Sequence, residues 1–487
     1  MRLDLLGKEE THNLAAVVLL SVVIHWPFML PGFGEPDVAR MAIVGSEWHN
    51  AGYIPNYSYY LRTSPLLLQI IKGLFDIGVP YAHIPRLLNW VNLFLGSLTL
   101  VPLYVLWRHL TNRRVAVIAS VFFFFTPAFW SANLYGMAHL PAFAFFVTSL
   151  LLFTMSLGDA VKAKNYLMAG SALLAVLAID LKADYILCFG AYAGIAFYLR
   201  ALTPRSLGLS VLIPVVSFIV VTLHTQAIAP NIPSLDQSAG TWADRFPFTV
   251  QAILDHDNRM VFVNAAGGGM LAAVVVSIVY CLIRRRQLRA LTLVLLWALP
   301  PILFWGLKLG NSLRHMMCPF AALLLLPAIV IAARPIGRPT RWAAVGILLV
   351  VNYFLGPVQS QLDPYQMAKW RRVSVSAQHE RGVIGAEMRV GRRLCVGTSG
   401  LPYVVWESLA AAERYEIVTT SPKVYRLFNR DGSVEMFRAD EVQGPATVGP
   451  SEEWFVYSCD PDVKALNHNS WLDRVKGSNI RVRPDDP

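Results

Sequence analysis

Apolar residues in this chain arrive in long blocks separated by short polar breaks, not in the narrow stripes of a water-soluble domain. A bilayer core of about 30 Å takes roughly 20 mostly apolar helical residues, because backbone polar groups find no water there. Eleven segments fit, at about 14–31, 86–107, 115–130, 139–158, 166–180, 184–199, 207–229, 261–283, 290–307, 315–333 and 342–358. Only the charged break Asp180-Leu-Lys182-Ala-Asp184 separates the fifth from the sixth. The first ends in Trp26-Pro27 and Pro31-Gly32 with no A-x-A site, so it reads as a retained span and not as a cleaved leader.

Between the first two spans, residues 32–85 are too apolar for a solvated loop and too broken to cross. After Pro36, Asp37 can cap a helix through Trp48 with Val38, Met41, Ala42, Gly45 and Trp48 on one face. Ser64-Pro65 starts a second helix by the rule that places Pro at the first helical position. It runs to about Asp76, with Gln69, Lys72 and Asp76 as a polar stripe. At about 1.5 Å per residue neither helix reaches across a bilayer, so both are expected to lie in the outer interface.

From Gln359 onward the texture changes to short β-type runs, such as Arg393-Leu-Cys-Val-Gly-Thr398 and Glu452-Glu-Trp-Phe-Val-Tyr-Ser458. Val404–Arg414 is expected to be helical. The expected fold is therefore an α-helical polytopic membrane module, 1–359, with a small extracytoplasmic α/β domain, 360–487. Cys395 and Cys459 both fall in that domain, where a disulfide is expected if it faces an oxidising compartment.

Composition agrees: 55% of the 487 residues are hydrophobic and 15% charged. That excludes a disordered chain, a coiled coil and a nucleic-acid module with a dispersed basic face. The net charge of +11 first has a topological reading. The loops 108–114, 159–165, 200–206, 284–289 and 334–341 carry fourteen Lys or Arg against one acid, Asp159. Outer stretch 230–259 carries two basic and four acidic residues. The bias puts the N-terminus inside and, after eleven spans, the C-terminal domain outside, as in a bacterial inner-membrane protein. Five cysteines without a CxxC pair give no sign of a zinc site.

Candidate chemistry gathers at the outer edge. Glu35 and Asp37 follow the first span, and a carboxylate there either caps a helix or acts as a base toward an acceptor arriving from water. Arg62, Lys182, Lys308, Arg314 and His315 sit at outer ends of apolar segments, opposite the positive inner loops. Ionisable residues in such places are functional candidates, and a phosphate would account for a cation cluster. His139, also at an outer end, is read first as a hydrogen-bonded packing residue.

Four short motifs resemble those of GT-C membrane glycosyltransferases, above all lipid A aminoarabinose transferases and protein O-mannosyltransferases. Asp37-Val-Ala-Arg40-Met-Ala42 resembles their D-E-x-R-Y-A, and Arg62-Thr-Ser64-Pro65-Leu66 their K-P-P-L. Leu181-Lys182 is similar to their T-K, and Arg314-His-Met-Met-Cys-Pro319 to their R-Y-L-L-P. Val38 and Met41 depart from the first motif, and His139 stands where many relatives have Asp. The resemblance implies the GT-C fold and an inverting single displacement on the extracytoplasmic face. It further implies a polyprenyl-phosphate sugar as donor and a glycan, lipid or protein as acceptor. In that scheme Asp37 is the base, Arg40 and Glu35 support it, and Arg62, Lys182, Lys308, Arg314 and His315 hold the donor phosphate. Membrane lipids are the other partners, with no nucleic acid. The sequence requires no cofactor, and a divalent metal stays open, with His139 as a second-loop site. Two alternatives remain: a polytopic transporter, against which no internal duplication is found, and a relative that binds lipid-linked sugar without catalysis.

Overall fold

The structure, a computed structural model, describes residues 7–29, 36–52, 64–134, 136, 138–158, 163–228, 256–284, 287–307, 313–333 and 337–355. It also describes five strands between 394 and 458. The chain divides into two compact units. One comprises Met1–Met29, Arg62–Leu66 and Trp90–Met367; the other comprises Leu30–Leu61, Leu67–Asn89 and Ala368–Pro487.

The first unit is a bundle of apolar helices. Among the described residues seven helices are long and apolar enough to cross a membrane, and they make this an integral membrane protein. They are Lys8–Phe28, Ile84–Leu110, His139–Ser156, Lys164–Leu181, Pro204–Ile228, Leu288–Gly306 and Arg314–Ala333. All eleven expected segments are helical along most of their described residues. Several are broken. The third bends by 63° between Arg113–Phe124 and Pro127–Leu134. Thr126 caps the second piece, its hydroxyl accepting from Phe129 N–H at 3.4 Å, while Pro127 brings no N–H of its own. The sixth opens with a 3₁₀ turn, Ala183–Cys188, before Gly190–Tyr198.

The eighth breaks at Gly267, whose φ of 85° ends His256–Ala266 before Gly268–Ile283 begins. Asn352 bridges this break: its Oδ1 accepts from Met270 N–H at 2.8 Å and its Nδ2 donates to Ala266 C=O at 3.1 Å. The triple glycine Gly267-Gly-Gly269 thus serves a close approach and a break together.

Packing of the bundle is aromatic and polar by turns. Trp107, Phe122, Phe123, Phe143, Phe146 and Trp297 are among its largest fully buried side chains. Ser149 and Ser171 bond each other and each other's backbone, and Tyr192 joins Ser149 at 2.5 Å, linking three helices by polar contacts that lipid cannot replace. Glu10 pairs with Arg108 at 3.0 Å and accepts from Tyr104, so the N-terminal helix starts beside the end of Ile84–Leu110. The two helices are therefore antiparallel neighbours, as consecutive spans should be.

In the second unit the helices Pro36–Ala51 and Pro65–Asp76 form as the sequence pattern foretells. Pro36 is itself the first helical residue, so Asp37 falls in the first turn and not at the cap. Val38, Met41, Ala42, Gly45 and Trp48 are all buried. A Cβ on Gly45 would lie 2.5 Å from Ile71 Cγ2, which measures how close the helices come. Lys72 sits 5.6 Å above the Trp48 ring and 2.5 Å from Asp76, which in turn contacts His49 at 2.8 Å. Ser46 and Tyr81 share a hydrogen bond of 2.8 Å.

The strands β1 (Leu394–Thr398), β2 (Val418–Ser421), β3 (Val424–Phe428), β4 (Val434–Arg438) and β5 (Trp454–Ser458) make one sheet in the order β4-β3-β2-β1-β5. Only β1 and β2 run parallel. A parallel pair needs a crossover of a dozen or so residues, which 399–417 is long enough to supply. The expected helix Val404–Arg414 and the Cys395–Cys459 pair lie outside the described residues and side chains.

Candidate functional site

Three distant segments of the first unit converge on one small cavity. Lys182, in extended conformation (φ −155°, ψ 104°), ends the helix Lys164–Leu181 and starts the 3₁₀ turn that carries Asp184 and Tyr185. A second 3₁₀ turn, Leu313–Met316, brings in Arg314 and His315. His139 opens the helix His139–Ser156. The Tyr185 hydroxyl donates to the His139 backbone carbonyl at 2.8 Å, so the first turn and the helix start are held together.

The charges meet at Asp184. Lys182 Nζ is 3.5 Å and His315 Nδ1 3.0 Å from its Oδ2. Lys182 is 6% exposed and His139 4%, so these groups stand largely out of water. The His315 ring stacks on Trp305 at 3.7 Å and meets the His139 ring edge-on at 5.1 Å. Neither ring nitrogen of His139 has a hydrogen-bond partner among the described residues. Arg314, beside His315, lines the same cavity. With Lys182 paired to Asp184, the Arg314 guanidinium leaves the site net positive when the imidazoles are neutral, which suits an anionic ligand.

The structure thus brings together four of the residues marked in the sequence, Lys182, Arg314, His315 and His139. It adds Asp184, which the sequence showed only as part of a charged break. The signal was present: an acid two positions from a lysine in an apolar stretch asks for a reason. The expectation that His139 is a hydrogen-bonded packing residue meets a buried ring neither of whose nitrogens has a hydrogen-bond partner among the described residues. Asp37 and Arg40 lie in the first turns of Pro36–Ala51, three positions apart, with side chains outside the described residues. Glu35, Arg62 and Lys308 also lie outside the described residues.

A second acid–histidine contact, Asp180 with His224 at 2.8 Å, joins Lys164–Leu181 to Pro204–Ile228 as an interhelical tie.

No protein-family model matches the sequence, and no curated protein matches it. Solved structures do match. ArnT from Cupriavidus metallidurans bound to undecaprenyl phosphate superposes with a TM-score of 0.51 at 16% identity, over 84% of this chain and 76% of that one. The same protein in its apo state gives 0.47 at 14% identity, over 83% and 75%. The archaeal oligosaccharyltransferase AglB from Archaeoglobus fulgidus, in complex with an inhibitory peptide and a dolichol-phosphate, gives 0.46 at 14% identity, over 73% and 56%. The likeness to ArnT covers most of both chains and shows the fold: this chain has the fold of ArnT, the GT-C fold that the sequence resemblance implies.

Proposed function

We propose that the protein is a membrane glycosyltransferase that moves a sugar from a polyprenyl-phosphate donor to an acceptor on the extracytoplasmic face. The observation that carries this reading is one cavity lined by Arg314, His315 and Asp184, with Lys182 paired to that Asp184 at 3.5 Å. Lys182 and Arg314 come from two motifs far apart in sequence, in a chain whose fold is that of ArnT, which was crystallised with undecaprenyl phosphate.

The chemistry follows from the groups. Asp37 takes the proton from an acceptor hydroxyl or amine, whose lone pair attacks the anomeric carbon. The bond from that carbon to the phosphate oxygen breaks, and polyprenyl phosphate leaves with the electron pair. A single displacement inverts the anomeric centre. Lys182 and Arg314, with Arg62, Lys308 and His315, stabilise the charge growing on the phosphate, the kind of preorganised help that costs no reorganisation during reaction. Arg40, one helical turn beyond Asp37, keeps that carboxylate ionised, and Glu35 supports it. The lipid phosphate is itself the leaving group, so no nucleotide loop is needed, and none of the G-x-x-x-x-G-K-[ST] type occurs in the sequence.

This reading keeps 1–359 as the catalytic module with the N-terminus inside, and 360–487 as an extracytoplasmic domain, in a bacterial inner membrane. Its test is a panel of polyprenyl-phosphate sugars given to the purified protein, watching for released polyprenyl phosphate. Release with one donor, dependent on an added acceptor, is the expected result. A chain that binds the donors yet releases none is a binding relative, and one that carries them intact across a vesicle wall is a transporter.

A further inference from the structure

His139, Asp184 and His315 each offer one ligand-type atom, and these atoms all lie within 4.8 Å of one another. We propose that the three side chains bind one divalent transition-metal ion, through one ring nitrogen of each histidine and a carboxylate oxygen of Asp184.

The donor set decides the class of ion. Two imidazoles and one carboxylate suit Zn²⁺ and its neighbours, whereas Mg²⁺ and Ca²⁺ favour oxygen-only shells. Spacing agrees as well. Ligands about 2.0–2.1 Å from a tetrahedral zinc stand about 3.3 Å from each other. His315 Nδ1 and Asp184 Oδ2 are 3.0 Å apart, yet neither has a partner in hydrogen-bond alignment among the described residues. Two atoms that close, out of line with each other, are placed to share a third.

His139 is the independent observation. It is 4% exposed, its ring faces His315, and both ring nitrogens lack a hydrogen-bond partner among the described residues. A buried imidazole left so is costly unless something binds it. The frame is also rigid. Trp305 fixes the His315 ring by stacking, and Tyr185 ties the His139 backbone to the turn that carries Asp184. No cysteine is a ligand, so the absence of CxxC spacing does not bear on this site.

Lys182 is the counter-argument and fixes a consequence. Its ammonium shares Asp184 Oδ2 at 3.5 Å, and a divalent ion would compete with it for that carboxylate. The ammonium sits on a flexible four-carbon stem and can turn away. Metal on Asp184 therefore adds positive charge to the cavity and frees Lys182 for an anion there.

The test counts metal in the full-length chain and does not need turnover. Protein in detergent is stripped with chelator, re-equilibrated with Zn²⁺, Co²⁺ or Mg²⁺, desalted, and its metal content measured together with its unfolding midpoint. One equivalent of Zn²⁺ or Co²⁺ and none of Mg²⁺ is expected, with a raised midpoint and a visible Co²⁺ absorption band. His139→Ala, Asp184→Asn and His315→Ala should each weaken Zn²⁺ binding by more than the about 10–100-fold that loss of an outer-shell partner brings. His139→Cys keeps a ligand and should retain Zn²⁺ with an altered Co²⁺ spectrum, which covers the case in which an alanine variant misfolds. Uptake that is equal in the wild type and the triple variant, or no uptake above background in the wild type, overturns the proposal. Failure of the donor panel alone leaves the metal count untouched, so the two readings fail separately.

Discussion

His315 Nδ1 stands 3.0 Å from Asp184 Oδ2, and this contact joins the 3₁₀ turn that follows Lys182 to the one that carries Arg314. Lys182 stands between the helix Lys164–Leu181 and its 3₁₀ turn in extended conformation, and from there its ammonium reaches Asp184 two residues on. The contact explains why two cations from distant motifs can face one ligand.

The first prediction concerns those cations. Lys182→Met and Arg314→Met should each weaken binding of a polyprenyl phosphate by about 1.5–3 kcal/mol, the size of a charge-assisted hydrogen bond. That is roughly ten- to a hundredfold in dissociation constant. Titration of the detergent-solubilised protein with a short-chain polyprenyl phosphate measures it. If both variants bind as the wild type does, the cavity is not the phosphate site.

A second prediction concerns Asp76 on the helix Pro65–Asp76. Hydrogen bonds from Lys72 first, and from His49 next, hold its carboxyl below the ordinary 3.8. The folded value is the lower one, so the pairing favours the folded helix pair above the ordinary carboxyl range and is lost as pH falls through the depressed value. Carboxyl NMR should place the Asp76 midpoint below 3.8, and Lys72→Met should raise it more than His49→Gln does. An identical midpoint in all three proteins would show that the two contacts do not persist in solution.

The third prediction tests the close approach in the same helix pair. Gly45→Ala places a Cβ 2.5 Å from Ile71 Cγ2, and overpacking of this kind costs about 1–3 kcal/mol. Ile71→Ala removes the obstructing methyl, so the double variant should lose less stability than the sum of the single ones, a coupling that thermal unfolding can read. Strict additivity would mean that the helices do not pack at Gly45.

Much of this helix pair could be read from the sequence. The buried positions Val38, Met41, Ala42, Gly45 and Trp48 follow one helical period, and Ser64-Pro65 marks the next start, so local rules suffice. The breaks were harder to read. Gly267 looks like ordinary small-residue packing until Asn352, far along the chain, is seen to bridge the gap behind it. In the sequence Asp184 is only part of a charged break, because no periodicity tells that 139, 184 and 315 meet. That meeting depends on how helices cross, a property of pairs of segments that no single segment contains. Lys182 and Arg314 were found because a charge at the end of an apolar run is conspicuous by itself.

The last prediction is that Asp37 is the base. Pro36 is the first helical residue, so its fixed φ sets the chain direction at Asp37, in the first turn of Pro36–Ala51. A carboxylate at this end of a helix is favoured by the backbone dipole, and Arg40 at i,i+3 favours it further, so an ionised acceptor of protons is the state expected near neutral pH. Asp37→Asn keeps the size of the side chain and removes its basicity. It should leave the unfolding midpoint and donor affinity near those of the wild type, while turnover falls by about 10² or more. Glu35→Gln, one position before the helix, should cost far less. Normal turnover in Asp37→Asn with a dead Glu35→Gln would move the base to Glu35 and shift the motif by two residues. Normal turnover in both would place the base elsewhere. A loss of donor affinity in Asp37→Asn equal to the loss of turnover would make Asp37 a binding residue instead, because a base that acts only in the transition state leaves ground-state binding alone.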